Sequence, residues 1–229
     1  MTIVVLCQPL YGPCPSRHHG RLCQWIVQNM AAGLLHWYNF FPGAYIDEAF
    51  NRLVADTLDN IPEATHVLFV EQDMVLPVET LEGLLSAEKD VISATYFYHD
   101  ADATLVGFSQ LGPPGKWLET FVEDEVQQVA GVGCGCLLVR CDVFRQMERH
   151  FGDRLWFQCQ QISSIIDGTD EARRRTKGQD WHFCKRLETM GVPVYLDGRV
   201  VCGHISEGEV GLEQHRRAQE RKHVAKNCG

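Results

Sequence analysis

Two carboxylates stand one residue apart at the end of an apolar run. The run THVLFV (residues 65–70) stops at Glu71-Gln72-Asp73. Carboxylates this close repel each other unless a cation or hydrogen bonds compensate their charge. Hard divalent cations such as Mg²⁺ and Mn²⁺ take oxygen ligands, often one or two carboxylates completed by phosphate and water oxygens. The pair therefore indicates a metal site with Asp73 in direct contact and Glu71 behind it; the alternative is that Asp73 caps a helix and Glu71 is solvated.

Two further polar residues stand where chain elements begin or end. Asp180, in GQDWHFC, lies at the predicted start of a helix, where the helix dipole favours the ionised carboxylate at neutral pH. Such a group can act as a general base towards an acceptor hydroxyl, although a plain N-cap is the simpler interpretation. His204 ends the apolar run VVCGHI, and imidazole can join carboxylates around Mn²⁺; a hydrogen-bonded structural role is the alternative.

Two other patterns are weaker. The stretch AGVGCGC (residues 130–136) carries alternating glycines, which allow close approach of a ligand or turns with positive φ, but a β-bulge explains them equally well. Cys14, His18, His19 and Cys23 are zinc-capable, yet their spacing matches no common structural zinc pattern. A polar loop that leads into a helix is the preferred interpretation of this cluster.

The elements that must position these residues alternate between strand and helix, which predicts an α/β fold with a mainly parallel sheet. In such a sheet ligands bind beyond the carboxyl ends of the strands, so the acids at 71 and 73 are expected at the ligand edge. The predicted strands of the first half are 2–8, 36–41, 65–70 and 90–98, and the predicted helices are 22–34, 47–58 and 78–88.

The pattern changes after about residue 100. Short strands and turns are predicted up to residue 140, followed by a helix over 141–151 and a polar loop over 165–178. A helix over 179–190, ended by Gly191, leads to a hairpin-like pair (192–198 and 199–205) and a polar, partly helical tail. We expect one domain over 1–229, made of two halves (1–100 and 101–205) and a tail (206–229).

Composition limits the function. The chain has 229 residues, of which 45% are hydrophobic, enough for a sizeable core, and its formal charge of −9 argues against generic coating of nucleic acids. No membrane span is predicted, and the opening residues predict a strand rather than a signal peptide. The ten cysteines are therefore expected as reduced thiols of a cytoplasmic protein, several of them (Cys136, Cys184, Cys202) serving as small hydrophobic residues.

In order and spacing, these stretches together resemble GT-A-fold nucleotide-sugar glycosyltransferases of the family-2-like kind common in bacteria and their phages. The resemblance covers most of residues 1–205 and includes ATHVLFVEQDMVLPVETLEGLL in the place of the Asp-x-Asp strand and helix. It also includes PLYG at 9–12, DVISATYF, GVGCGCLLVRCDVF, GQDWHFCKRLETMGVPVYLD and the closing CGHI. It implies a GT-A single domain with a mainly parallel central sheet, helices on both faces and a smaller antiparallel sheet on the acceptor side. In such a domain, residues 1–100 would be the nucleotide-sugar-binding half and residues 101–205 the acceptor and catalytic half.

The resemblance also implies roles for individual residues and a Mn²⁺ or Mg²⁺ cofactor. Asp180 would be the catalytic base of an inverting reaction. The metal ligands would be Asp73, His204 and Glu71, the last in the first acidic position of the motif. Donor contacts would come from Pro9, Tyr11, Gly12, Asn51 and Gln72, and sugar or acceptor contacts from Gly131, Gly133, Cys134, Gln179 and Trp181.

Three positions depart from the family pattern. Glu71 stands in place of aspartate, Gln179 in place of glutamate, and Phe50 where the family has an arginine that contacts the donor. A uridine diphosphate sugar is the expected donor by default. The acceptor is open between a glycan, a small molecule and a hydroxymethylated base in phage DNA. A basic edge for DNA could come from Arg173, Arg174, Arg175, Lys177, Arg216, Arg217, Arg221 and Lys222.

Two other functions compete with this one. The same fold could serve as a non-catalytic module that binds a nucleotide sugar or a glycan. A nucleotidyltransferase or phosphoesterase could use Asp73 and His204, but the phosphate-cradling Gly-x-x-x-x-Gly-Lys loop is missing from the sequence. The oligomeric state is left open.

Overall fold

A seven-stranded sheet forms the centre of the protein. The computed structural model describes residues 1–10, 16–43, 45–98, 102–112, 115–159, 178–205 and 209–227. Its strands are β1 (Val4–Leu10), β2 (Trp37–Pro42), β3 (His66–Val70), β4 (Met74–Val75), β5 (Val91–Thr95), β6 (Gly107–Gln110), β7 (Lys116–Trp117), β8 (Val126–Val129), β9 (Gly131–Val132), β10 (Cys136–Arg140), β11 (Val194–Val201), β12 (Gly203–Ile205) and β13 (Glu209–Val210). Its helices are α1 (Ser16–Ala31), α2 (Ile46–Asn60), α3 (Thr80–Ser86), α4 (Cys141–Phe151), α5 (Gln179–Met190) and α6 (Leu212–Asn227).

The central sheet is mainly parallel. Its strand order is β2-β1-β3-β10-β5-β11-β8. Strands β2, β1 and β3 are parallel to one another, and β5 is parallel to β11, while β10 and β8 run in the opposite direction. Two three-stranded antiparallel sheets, β13-β12-β4 and β7-β6-β9, flank it. The predicted α/β class with smaller antiparallel sheets is confirmed.

Helices cover both faces of the central sheet. Successive side chains of a strand point to opposite faces, so each strand packs against helices on both sides. Val5 and Cys7 of β1 pack in the cluster that contains apolar residues of α2, α4 and α5, whereas Val4 and Leu6 pack with those of α1 and α3. The strands are apolar on both faces for this reason, as expected for a parallel sheet buried between helices. The predicted thiols Cys136, Cys184 and Cys202 are buried and free.

The predicted hairpin over 192–205 is wrong. Residues 194–201 form the single strand β11, with an irregularity between Asp197 and Val201 where it pairs with β5. Gly198, which suggested a turn, instead allows a distant segment to approach: its N–H donates to the carbonyl oxygen of Glu125 at 2.8 Å, and a Cβ there would overlap the carbonyl oxygen of Val122. A glycine selected by close backbone packing therefore resembles a turn glycine in the sequence.

Other boundaries shift by a few residues. The first helix begins at Ser16 rather than 22 and ends at Ala31, and the helix expected at 78–88 is limited to Thr80–Ser86. Gly191 ends α5 with a φ of 70°, which confirms its predicted place after the helix. Most of the polar loop predicted over 165–178 lies outside the described residues. No helix in the described ranges combines the length and apolar character that a membrane span requires.

Candidate active site

The acidic turn after β3 lies beside His204. The main-chain N–H of Glu71 donates to the carbonyl oxygen of Gly135 at 2.9 Å, which fixes the start of the turn. Strand β12 pairs antiparallel with β4, so that His204 stands opposite Met74, and the N–H of Ile205 donates to the carbonyl oxygen of Asp73 at 2.8 Å. As a result, Nε2 of His204 lies 3.2 Å from Oδ2 of Asp73.

The imidazole of His204 is held in one orientation. Its Nδ1 lies 2.9 Å from the carbonyl oxygen of Phe97. Because a carbonyl only accepts, Nδ1 carries a proton, and Nε2 is the nitrogen that faces Asp73. Burial by itself lowers the pKa of His204, but the hydrogen bond and charge of Asp73 outweigh it, so the pKa is raised; the charge of Glu71 adds to the increase.

The donor atoms at this turn suit a divalent cation. Oδ1 of Asp73 is buried and has no hydrogen-bond partner among the described residues, which is costly for a carboxylate oxygen unless a cation or donor approaches it. Within the described part of the chain, no three His, Cys, Asp or Glu side chains group closely enough to form a complete metal site. Asp73 and His204 thus offer two ligand groups, and Mg²⁺ or Mn²⁺ often combines one or two protein ligands with phosphate and water oxygens.

Asp180 is the second residue of α5 and not its cap. The N-cap is Gly178, in an extended conformation without a side-chain cap, and a Cβ on Gly178 would come within 2.8 Å of Oδ1 of Asp180. The same Oδ1 accepts the N–H of Trp181 at 2.7 Å. Burial raises the pKa of Asp180 and outweighs the main-chain N–H groups that favour its ionised form. The stabilisation expected from the helix start is therefore exceeded by the cost of desolvation.

One cavity joins these groups. It has a volume of about 520 Å³ and opens at the carboxyl ends of β3 and β5. Among its lining residues are six that were proposed from the sequence: Glu71, Cys134, Gln179, Asp180, Trp181 and His204. The structure thus brings the acidic turn, the glycine-rich stretch, the start of α5 and the end of β12 to a single chamber.

Aromatic residues of the cavity were missed in the sequence. Tyr96, Tyr98, Phe108 and Trp117 all line it. Tyr96 and Tyr98 follow β5 at alternate positions, next to the acidic strand end. This alternation in the sequence could have indicated two aromatic side chains on the same side of the chain at the site. Phe108 and Trp117 are brought together by the pairing of β6 with β7, which the intervening break at residues 113–115 obscured.

The glycines at 131 and 133 do not line the cavity, and neither has a positive φ. A Cβ on Gly133 would overlap the hydroxyl of Tyr96, and one on Gly131 would lie 3.0 Å from Cβ of Cys184. The Tyr96 hydroxyl also accepts the N–H of Gly135 at 2.9 Å. In the structure these glycines make room for side chains of the cavity wall and of α5.

The expected donor residues lie outside this cavity or outside the described residues. Tyr11 and Gly12 are among the latter. Pro9 is buried in β1 opposite Phe41, and Gln72 is buried in the acidic turn. The amide of Asn51 exchanges two hydrogen bonds with the main chain of Phe157, at 2.8 and 3.0 Å. Donor contacts of these residues stay a prediction.

The other two sequence features are only partly described. On α1, Sγ of Cys23 lies 3.6 Å from Nε2 of His19 in an exposed position, and the side chains of Cys14 and His18 lie outside the described residues. In the tail, Arg216 pairs with Glu123 and Arg217 pairs with Glu213 at 3.2 Å. The remaining members of the predicted basic edge have no described side chains.

Fold and site together define a Rossmann-like α/β protein with an acidic, aromatic-lined cavity at the carboxyl edge of its sheet. Among solved structures, A197 from STIV is similar, with a TM-score of 0.52 and 10% identity over 93% of this chain and 90% of that chain. At this identity the likeness shows the fold alone. No family model and no curated protein sequence matches the chain.

Two further solved structures resemble the chain more weakly. A glycosyltransferase involved in the glycosylation of the major capsid of PBCV-1 has a TM-score of 0.38 and 8% identity, over 68% of this chain and 69% of that chain. Mannose-1-phosphate geranyltransferase from Thermus thermophilus has a TM-score of 0.46 and 14% identity, over 88% of this chain and 76% of that chain. Both are transferases by name, and at these TM-scores neither carries an argument about this protein.

Proposed function

We propose that this protein is a metal-dependent, inverting glycosyltransferase that moves a sugar from a nucleoside diphosphate sugar, preferably of uridine, to an acceptor hydroxyl. The observation that carries the proposal is the shared cavity. Glu71, Asp180 and His204 line it, and Nε2 of His204 contacts the carboxylate of Asp73. A pair suited to a divalent cation and a separate, partly buried carboxylate are the two chemical groups that such a transfer requires.

Asp73 and His204 would hold the Mn²⁺ or Mg²⁺ ion. When bound, this ion neutralises charge on the diphosphate as it departs. The hydrogen bond from Nδ1 of His204 to Phe97 keeps Nε2 turned towards the site. Glu71 supports the site through its negative charge at the cavity wall.

Asp180 would act on the acceptor. Its carboxylate takes the proton of the acceptor hydroxyl while the acceptor oxygen forms a bond to the anomeric carbon. The bond from that carbon to the diphosphate oxygen breaks, and its electron pair leaves with the diphosphate. A pKa raised by burial makes Asp180 a stronger base than an ordinary carboxylate, and base strength increases the rate of proton transfer.

A screen of nucleoside diphosphate sugars tests the proposal. Release of nucleoside diphosphate is measured with Mn²⁺, with Mg²⁺ and with a chelator. We expect release from one class of donor that depends on the metal and is abolished in Asp73→Asn, while the melting temperature stays close to that of the wild type. The matched control is Asp142→Asn, which removes an exposed carboxylate that forms an ion pair with Arg145 on α4, away from the cavity.

The outcomes separate the competing functions. Turnover that persists in the chelator or in Asp73→Asn would refute the metal role. Binding of a nucleotide sugar without turnover would instead identify a non-catalytic binding module. Release of pyrophosphate or inorganic phosphate would point to a nucleotidyltransferase or phosphoesterase.

A further inference from the structure

Three aromatic residues of the cavity wall form a contact cluster. The rings of Phe108 and Trp117 stack with centroids 4.6 Å apart and planes inclined by 27°. Tyr98 meets Trp117 edge to face at 5.5 Å. Phe108 is buried, whereas Trp117 keeps 45% of its surface exposed although it has aromatic neighbours. An indole that served only in core packing would be covered by other side chains. The exposed part of the Trp117 indole is therefore available to a ligand in the cavity.

Hydrogen bonds hold the main chain around Trp117, and the neighbouring rings hold its indole. Trp117 pairs with Phe108 across the antiparallel strands β6 and β7. The N–H of Leu118 donates to the carbonyl oxygen of Gly107 at 2.9 Å, and Oγ of Ser109 donates to that of Trp117 at 3.1 Å. A pre-ordered ring loses little conformational entropy on binding, which favours its use as a platform.

The cluster and Asp180 line the same cavity, and strand pairing connects them. Strand β9 pairs with β6, which sets Gly131 opposite Phe108. Gly131 in turn packs against Cys184 of α5, and the N–H of Val132 donates to Sγ of Cys184 at 3.4 Å. Helix α5 carries Asp180 near its start. The small sheet with Trp117 is therefore anchored on the helix whose carboxylate would activate the acceptor.

The charge of the described cavity lining disfavours a polyanion that brings no divalent cation with it. Its described lining residues include the carboxylates of Glu71 and Asp180 but no lysine or arginine. A nucleic acid acceptor needs cationic side chains to replace the counterions of its phosphates. A neutral sugar has no such need: its slightly positive C–H groups pack on the negative face of an aromatic ring, and its hydroxyls donate to carboxylates.

We propose that Trp117, supported by Phe108 and Tyr98, is the stacking platform of an acceptor subsite for a neutral carbohydrate. The assignment to the acceptor, rather than to the donor, rests on the proposed role of Asp180. The ring of the acceptor sugar lies on the indole, and the hydroxyl to be modified points towards Asp180.

Direct binding tests this subsite without relying on turnover. The probe is an array of neutral mono- to tetrasaccharides, incubated in the presence and absence of uridine diphosphate and Mn²⁺; the best saccharide is then titrated by calorimetry. We expect Trp117→Ala to weaken saccharide binding roughly 5- to 100-fold, as is typical for loss of an aromatic stacking partner. Trp117→Phe should retain most of the affinity, because a ring face remains.

The matched control is Trp37→Ala. Trp37 lies in the edge strand β2, is 50% exposed and does not line the cavity, so its removal should leave saccharide binding unchanged. Uridine diphosphate binding in Mn²⁺ should be equal in the wild type and all variants, and this also verifies that each variant is folded.

Four results would overturn the inference. The wild type could bind no saccharide, or Trp117→Ala could leave the affinity for saccharide unchanged. Trp117→Ala could instead lose affinity for uridine diphosphate, which would place the nucleobase on Trp117. Finally, the wild type could bind a hydroxymethylated DNA duplex in preference to every saccharide. Saccharide binding that depends on Trp117, without release of nucleoside diphosphate from any donor, would support the subsite and reject the proposed transfer.

Discussion

Replacing Asp180 by asparagine separates its chemistry from its packing. Oδ1 of Asp180 accepts the N–H of Trp181 at 2.7 Å, and the amide oxygen of asparagine can accept the same bond. The shape and the helix start are therefore preserved, while the ability to take a proton is lost. Donor binding should survive, since the metal pair and the rest of the cavity are unchanged.

The expected loss of transfer is large. General base catalysis typically contributes a factor of about 10²–10⁴ in rate. We expect kcat to fall at least about 10²-fold in Asp180→Asn, which corresponds to about 2.7 kcal/mol of barrier at about 1.36 kcal/mol per factor of ten. In the wild type, kcat/KM should decline as pH falls through the pKa of Asp180, at a higher pH than for an ordinary carboxyl group, and the variant should lack this decline.

Asp180→Asn should increase the stability of the fold at neutral pH while it decreases the rate of transfer. Burial raises the pKa of Asp180 in the folded protein, so the unfolded chain ionises more readily and the carboxylate destabilises the fold at neutral pH. Asp180→Asn removes this cost and should raise the urea midpoint of unfolding at neutral pH. The gain should disappear in acid, where Asp180 is protonated in the folded protein.

Asp153 provides the matched control. Burial alone would raise its pKa, but hydrogen bonds from Arg186, at 2.7 Å, and from the main chain of Leu155 outweigh burial, so the pKa is lowered. Its ionised form thus stabilises the fold above the ordinary carboxyl pKa, and this stability is lost as pH falls through the lowered value. Asp153→Asn should lower the urea midpoint at neutral pH.

Two observations would refute the reasoning about Asp180. Near-normal transfer in Asp180→Asn would assign the base to another residue or indicate a retaining reaction. A lower urea midpoint in that variant would mean that the carboxylate is stabilised in the folded protein and not desolvated.

Two further predictions concern the stability of the fold rather than the proposed reaction. Gly133→Ala should force the new Cβ against the Tyr96 hydroxyl; such overpacking costs about 1–3 kcal/mol, and the melting temperature should fall by roughly 2–12 °C. His215→Ala should destabilise the protein by about 1–3 kcal/mol in urea titration, because His215 is buried and its Nδ1 donates to the carbonyl oxygen of Ala103 at 2.8 Å.

Each of these has a control in the same chain. Gly20 is an exposed residue of α1 whose Cβ would meet nothing within 4 Å, so Gly20→Ala should stabilise the helix by about 0.5–1 kcal/mol. Arg217 shares α6 with His215 but forms an exposed ion pair, and Arg217→Ala should change stability by less than about 1 kcal/mol. A Gly133→Ala protein as stable as the wild type would show that Tyr96 can move aside. An equal effect of His215→Ala and Arg217→Ala would show that the hydrogen bond to Ala103 contributes little.

Local patterns in the sequence were sufficient for much of the fold. Residues 67–70 are apolar throughout because β3 is covered by helices on both faces, and this makes a buried parallel strand recognisable. Gly191 marked the end of α5 because the left-handed conformation after a helix favours glycine. The hairpin predicted around Gly198 was wrong because this glycine is required by a contact with residues 122–125, and no local sequence pattern reveals that contact.

The candidate site divides in the same way. Glu71, Asp73, Asp180 and His204 were identifiable by type and by position at the ends of elements. The contacts between these residues could not be identified in the sequence. His204 reaches Asp73 only because strand β12 pairs with β4, and the pKa of Asp180 is raised only because the fold buries its carboxyl group. The aromatic cluster proposed as the acceptor platform was missed because Trp117 and Phe108 meet through the pairing of β7 with β6.

By itself, the sequence determined which side chains have the chemistry to bind a cation or move a proton. It also determined most of the strands and helices, apart from residues 192–205, because composition and periodicity are local properties. Only the tertiary structure decided that Glu71, Asp180 and His204 share one cavity and that an exposed tryptophan stands in its wall. It also decided that the glycines at 131 and 133 make room for side chains of the wall and of α5. These features depend on contacts between residues far apart in the chain, and such contacts exist only after the sheet has formed.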